Sequence, residues 1–414
     1  MKNTKLSLVL ASMLTLATTS SFADDASDIA ELKQQVKELQ EMSQTLIDET
    51  SDLKTGFNYT KVDPNQSHAG LGPAASKIYF SKSPLSIGGY GQMYYSTTTN
   101  EDTNAISSET QVKRFVTFFG YKLSDSIIMN TEVEYEGGGA RVNGTGDAVV
   151  LEFFYLDFLI NEHFNLRAGN FLVPMGYVNQ QHEPTILKTT QRPKTSRYIV
   201  PSTWGETGLL AFGNINDDIS YKAGFLTALQ PDDSVDTNTT TFTSDKWLRN
   251  GRGGSYKIEN PRAAGLVRVD YTGLEGLFIG AGVYADEKML MTDIHGEYKI
   301  GGARFYGTYA KVSRSGTLAN STQVTESFGG FLNASYDFSS LLSQEEEISL
   351  FTQYENYNPQ AQRTDGTQGD DTTDITFGIN YFPIEQVVLK ADYVLSKKGD
   401  TNLNTASVSL GFIF

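Results

Sequence analysis

The chain has 414 residues, no cysteine and a formal net charge of −16. An acidic balance of that size argues against nucleic acid as a partner, and the lack of cysteine rules out a disulfide-stapled fold. Beyond the leader-like start no run of about 18 apolar residues occurs, which excludes a helical membrane protein.

The start reads as a secretory signal peptide over residues 1–23. Lys2 and Lys5 are basic, Leu6 to Leu16 is apolar, and Ser21-Phe22-Ala23 is a small-x-small cleavage site. Losing two lysines and no acid leaves the mature chain near −18. Residues 24–54 carry a helical heptad seam: Ile29, Leu32, Val36, Leu39, Ser43, Leu46, Thr50 and Leu53 alternate steps of three and four. Asp28, followed three residues later by Glu31, gives a capping pattern at its start. The seam predicts a self-associating periplasmic coiled coil, against the alternative of one amphipathic helix lying on another surface. Residues 55–84 are polar and contain glycine and proline, the composition of a linker.

From Leu85 to Phe414 the apolar period becomes two, in about sixteen segments. The mean hydropathy of −0.32 suits a transmembrane barrel, because only alternate residues face lipid. The last segment is the clearest. Ala406, Val408, Leu410, Phe412 and Phe414 share one face, and Thr405, Ser407, Ser409 and Gly411 the other. Short turns such as Leu123–Ser126 and Ile300–Gly302 alternate with mostly long polar connections such as Gln230–Arg262 and Asn358–Thr373. Short turns at one rim and long loops at the other are the layout of outer-membrane barrels. The predicted fold is therefore an all-β, transmembrane antiparallel barrel with an N-terminal coiled-coil helix.

The third long connection, residues 172–205, breaks the pattern. It runs without sustained alternation and contains Pro184, Pro193 and Pro201; structureless stretches of that length usually carry function. A barrel of about sixteen strands leaves a wide channel, and an inward loop would narrow it. Lys188, Arg192, Lys194 and Arg197 stand in this loop against one acid, Glu183. Cations at a water-filled constriction attract anions. The same cations could instead pin the loop to wall carboxylates such as Glu132, Glu134 and Glu136, which share a strand face. Arg167, Arg268 and Lys390 are further lumen-wall candidates.

The segment GNFLVPMGYVNQQHEPT, then RP, then IVPSTWGETG, resembles the constriction region of phosphate-selective porin O/P-type proteins and of related siderophore porins. SIGGYGQMYYS on the first strand is similar too. The resemblance implies a sixteen-stranded homotrimeric barrel in outer-membrane lipid, without cofactor, passing small anionic or hydrophilic solutes. The phosphate-selective members carry an arginine ladder and a lysine cluster. Here only Arg167, Lys222, Arg268 and Lys390 match, beside Asp270 and Asp392, so a loose anion preference or a larger organic solute stays as open as phosphate. The coil is similar to those of siderophore porins and some sugar porins, and tethering to the cell wall is a further role for it.

Other chemistry has weaker support. The four histidines, His68, His163, His182 and His295, are scattered. Asp293, His295, Glu297 and Lys299 share a strand face, read as polar lumen wall rather than a metal site. A barrel lipase would need a serine and histidine together, with Ser202 and His182 the least implausible pair. A mainly structural, plugged barrel is the remaining alternative.

Overall fold

A row of side chains on each face of every segment after Leu85 favours a sheet with two different environments, and closing it leaves no unpaired edge. The computed structural model describes residues 33–45, 62–137, 149–231, 241–242, 244–254, 257–315, 322–339 and 346–414. The signal-peptide expectation and the seam positions Ile29, Leu32, Leu46, Thr50 and Leu53 lie outside them. A first unit, Met1–Tyr59, contains helix α1, residues 33–45, a single helix whose seam residues Val36 and Leu39 are exposed.

The second unit, Thr60–Phe414, is a closed antiparallel barrel. Its strands are β1 Leu85–Asn100, β2 Ile106–Lys122, β3 Ile127–Glu136, β4 Val149–Leu159, β5 Asn165–Leu172, β6 Gly205–Asn214, β7 Ile219–Thr227, β9 Ala263–Tyr271, β10 Leu277–Asp286, β11 Met289–Ile300, β12 Ala303–Arg314, β13 Thr322–Asp337, β14 Glu347–Arg363, β15 Thr372–Ile384, β16 Val387–Lys398 and β17 Thr401–Ile413. A two-residue strand, β8 Thr241–Phe242, pairs in parallel with β13 outside the ring. β7 pairs directly with β9. Tyr90 of β1 lies opposite both Val116 of β2 and Ile413 of β17, which closes the circle. Tight turns need a residue that tolerates positive φ; between β11 and β12 Gly301 takes it, at 55°.

The expected two-faced strands are present. On β17 Val408 is half exposed, while Ser407 and Ser409 are buried. On β15 Phe377 is 51% exposed and Thr376 only 4%. The outer face is a continuous apolar surface, fit for lipid.

The interior departs from the expected polar lumen. An apolar cluster inside the ring joins wall residues Val116, Phe118, Phe153, Phe171 and Tyr284 to Met175 and Trp204 of the inward loop. It also takes in Trp247 and Leu248 from the next long connection. Trp204 meets Tyr284 edge-on with ring centroids 5.2 Å apart. Burying one such side chain contributes about 1.5–3 kcal/mol, so the inserted segments are held as a core is held.

Residues 62–84, read from composition as linker, also fold inside. Helix α2, Pro73–Phe80, begins with proline in its first turn and buries Ala74, Ala75 and Ile78. Its seat is on β1, β2 and β3. Asn130 Nδ2 donates to the Ala75 carbonyl (2.8 Å), Tyr79 Oη to Asp157 (2.6 Å), and Lys122 Nζ to the Ser81 carbonyl (2.6 Å). A segment lying against polar wall residues needs the polar, Gly/Pro-containing composition that otherwise marks a linker.

The outer apolar face yields a direct prediction. Phe377→Arg, near the middle of β15, should lower barrel stability by about 2–4 kcal/mol, measured by denaturant unfolding in lipid vesicles.

Candidate functional site

The inward loop is stitched shut at its neck. Val173 N–H donates to the Trp204 carbonyl at 2.8 Å. The Asn179 side chain bridges both ends: Nδ2 donates to the carbonyls of Val173 (2.7 Å) and Trp204 (3.0 Å), and Oδ1 accepts from Trp204 N–H (2.9 Å). Trp204 Nε1 donates to Glu206 at 3.0 Å. The asparagine, tryptophan and glutamate of the resembling motif thus serve one closure.

Beyond the neck, wall side chains take up the loop's backbone groups. Arg268 donates to the Gly176 carbonyl (3.0 Å), Arg304 to that of Ile186 (2.8 Å), and Lys390 Nζ to those of Leu187 (2.6 Å) and Thr189 (3.0 Å). Asp392 accepts from Thr190 N–H at 2.6 Å and Glu355 from Thr195 N–H at 2.5 Å, at the start of helix α3, Thr195–Tyr198. A buried backbone group without a partner is costly, so the wall's charges are committed to placing the loop.

One region of the loop faces open space. A chamber of about 290 Å³ is lined by Gln92, Gln111, Lys113, Arg114, Glu136, Gly137, Gln191, Arg192, Arg197, Ser202 and Arg249. Five of these are cations and one is a carboxylate. Lys113 and Arg114 are consecutive, yet both reach the chamber. Gln92 pairs with Arg114 and Met93 with Val112, so Lys113 is the extra residue of a β-bulge, which turns two successive side chains to one side. A second bulge, between β3 and β4, skips Glu152 and buries it beside Phe153. Arg249 comes from helix α4, Trp247–Asn250, whose apolar residues anchor it in the inner cluster.

The polar contacts of these cations go mainly to carbonyls. Arg192 Nη2 lies 3.2 Å from the His182 carbonyl and 3.5 Å from Tyr90 Oη. Arg249 Nη1 donates to the Ser202 carbonyl at 2.9 Å. Among the described residues, Arg114 alone of the five meets a carboxylate closely, Glu134 at 3.2 Å. Burial, reinforced by Arg252, Arg197 and Arg192, pushes the Arg249 guanidinium down to about 9. Burial and Arg114 also lower Arg192. Guanidinium does not deprotonate in proteins; the shifts express crowded positive charge that an anion would relieve.

Of the four loop cations singled out by sequence, the structure brings two together. Arg192 and Arg197 line the chamber. Lys188 turns to the opposite end of the lumen, where Nζ meets Glu347 (2.7 Å) and Ser349 (2.8 Å). That is the pinning role, but on β14 rather than on Glu132, Glu134 or Glu136. Lys194 stands at the start of α3, outside the chamber lining. The wall candidates Glu132, Glu134, Arg167, Arg268 and Lys390 all point inward and are buried. Arg167 is spent on a two-bond pair with Asp157 (2.7 and 2.8 Å), and Arg268 and Lys222 on Asp270 (2.8 and 3.1 Å). Sequence reasoning missed Lys113, Arg114 and Arg249. The adjacent Lys113-Arg114 pair breaks the strand's alternation, and Arg249 stands in a second basic run, Lys246 to Arg252.

The other constellations do not assemble. His182 Nδ1 donates to the Asn179 carbonyl (2.8 Å) and its Nε2 lies 3.4 Å from Glu132. Among the described residues no hydrogen bond joins it to Ser202. His295 contacts Asp293 (2.5 Å) and Asp270 (3.2 Å), and no metal-binding group is found among the described residues.

Comparisons with known proteins fit this architecture. No protein-family model matches the chain. A protein of Aquifex aeolicus (strain VF5), described only as uncharacterized, is 31% identical over 375 residues, spanning 83% of this chain and 84% of that one. Among solved structures, the anion-selective porin from Comamonas acidovorans superposes with a TM-score of 0.53 at 12% identity, over 80% of this chain and 99% of its own. Salmonella typhi OmpF gives 0.53 at 12% identity, over 80% and 97%. At such identities the likeness establishes the fold alone: the closed, sixteen-strand antiparallel barrel of porins.

The neck stitching predicts that Asn179→Ala loosens the loop. Loss of its three hydrogen bonds, which strands the buried Trp204 N–H, should speed tryptic cleavage at Lys188, Lys194 or Arg197 about tenfold, followed by gel electrophoresis of the folded barrel.

Proposed function

Starting from a chain that belongs to one family with the Aquifex aeolicus protein and has the porin fold, we propose that it is an outer-membrane porin. It passes small hydrophilic solutes by passive diffusion, with a preference for anions. The observation that carries this reading is the chamber, where five cations face one carboxylate. The inward loop sets the size limit, and Arg192 and Arg197 bias the charge together with Lys113, Arg114 and Arg249. In a confined, low-dielectric passage such charges raise the local concentration of anions.

The wall cations are engaged with Asp157, Asp270 or loop carbonyls, so the reading stays at small anions rather than phosphate in particular, with a larger organic anion as the alternative. The cell setting is the outer membrane of a Gram-negative bacterium, with the barrel as a homotrimer. The exposed Val36 and Leu39 of α1 are consistent with a self-associating coil in the periplasm, where it could also tether the barrel to the cell wall. A second reading, a structural barrel with a sealed interior, is favoured by the apolar cluster that fills part of the lumen.

Conductance separates the two. The purified protein in a planar bilayer across a KCl gradient should give a zero-current potential of the sign for chloride preference. Arg192→Gln with Arg197→Gln should lower the chloride-to-potassium permeability ratio several-fold. Cation preference would overturn the charge reading, and silence the porin reading. The loop's histidine and guanidiniums should contribute no pH dependence to the preference between about pH 5 and 7. Burial and Arg192 hold His182 down to about 3, so its ring is uncharged throughout that range, and guanidinium does not titrate there.

A further inference from the structure

We infer that residues 62–80 form a releasable plug, latched to the constriction loop by Glu183, and that its release widens the pore. The inference rests on the porin reading above. It takes that channel's bore to be set by two parts, the inward loop and this segment, rather than by the loop alone.

Glu183 joins the two. Its carboxylate accepts from Ala74 N–H (3.0 Å) and Ala75 N–H (3.1 Å), in the buried first turn of α2, which has no side-chain cap of its own. Beside it, Gly72 N–H donates to the Gln180 carbonyl at 3.0 Å. The first turn of a helix has free N–H groups and a partial positive charge, so a buried carboxylate there is well placed. Any side chain at Gly72 would overlap Glu183. The lone acid of the loop is therefore a positioning residue for another segment, not a counterweight to the loop's cations.

The seat is built for this segment. A side chain at Gly120 of β2 would overlap Ile78, and one at Gly88 of β1 would crowd the Ala74 carbonyl. The remaining anchors are mostly polar. Gln386 donates to the Val62 carbonyl at 3.0 Å, Tyr79 reaches Asp157, and His68 stacks on Tyr79 at 3.6 Å. The segment adds only a few apolar side chains to the inner core, chiefly Val62, Leu71 and Ile78, and has no strand ladder, so it opens more readily than the strands around it. It also borders the solute's path. Pro64, Ser67 and Leu71 share the wall of a second chamber of about 360 Å³ with Lys188, Arg304 and Glu347. Withdrawing the segment would enlarge that chamber.

The natural absence of cysteine makes the test clean. Ser76→Cys places a single thiol on the buried face of α2, where Ser76 has no exposure. Its labelling by a soluble maleimide reports release, and single-channel conductance reports bore. Glu183→Ala in that background should speed labelling about tenfold and raise conductance, with the barrel still folded by electrophoretic mobility. Glu183→Gln, which keeps an acceptor for the two N–H groups, should restore both towards wild type. Unchanged labelling in Glu183→Ala would overturn the latch. Faster labelling with unchanged conductance would overturn the plug. If no variant conducts, wild type included, the porin reading falls and the plug with it, while labelling still decides whether Glu183 holds the segment.

Discussion

A ring of sixteen strands encloses more space than its wall side chains can fill, and everything inside must satisfy its own backbone. That constraint governs the interior of this protein. Among the described residues three inserted segments occupy the lumen: the inward loop, part of the next long connection, and the stretch ahead of β1. Each carries peptide groups that cannot be left bare in a confined, partly apolar space. The wall answers with charged side chains aimed at carbonyls and amides. Lys390, Asp392, Arg268, Arg304 and Glu355 all act this way. The apolar side chains of the same segments then complete an inner core around Trp204 and Trp247.

The electrostatics of the lumen follow from that commitment. Charges used to hold backbone, or paired as Arg167 is with Asp157, have little left for a passing solute; breaking such a buried pair from one side costs about 3–5 kcal/mol. Where cations outnumber the carboxylates lining the same space, they do so because local geometry brings them together. One bulge sets Lys113 and Arg114 side by side, the loop delivers Arg192 and Arg197, and a short helix with an apolar anchor delivers Arg249. The chamber is the residue of interior charge that the architecture has not consumed.

Much of the barrel was legible in the amino-acid order. Period-two alternation located every strand of the ring, because lipid and interior impose opposite demands on neighbouring residues. The break in that period at residues 172–205 marked the inward loop. The interior was harder to read. Val116, Phe118 and Phe153 face inward although they look like lipid-facing residues, since an apolar partner inside the lumen leaves no trace on the strand itself. Residues 62–84 resemble a linker because a segment touching polar walls is itself polar. Proximity in sequence groups Lys188 with Arg192, yet a loop that crosses the lumen sends the two to different chambers. The bulge at Lys113 puts two adjacent side chains on one face, and in the sequence it shows only as a one-residue break in alternation that composition does not mark.

The central claim is that the chamber lined by Arg192, Arg197 and Arg249 holds an excess of positive charge. Crystals grown in bromide test it most directly, because anomalous scattering locates the ion without a functional assay. The account predicts a bromide peak within hydrogen-bonding distance of those guanidinium groups. A chamber without bromide, with peaks only elsewhere in the lumen or on the rim, would contradict it.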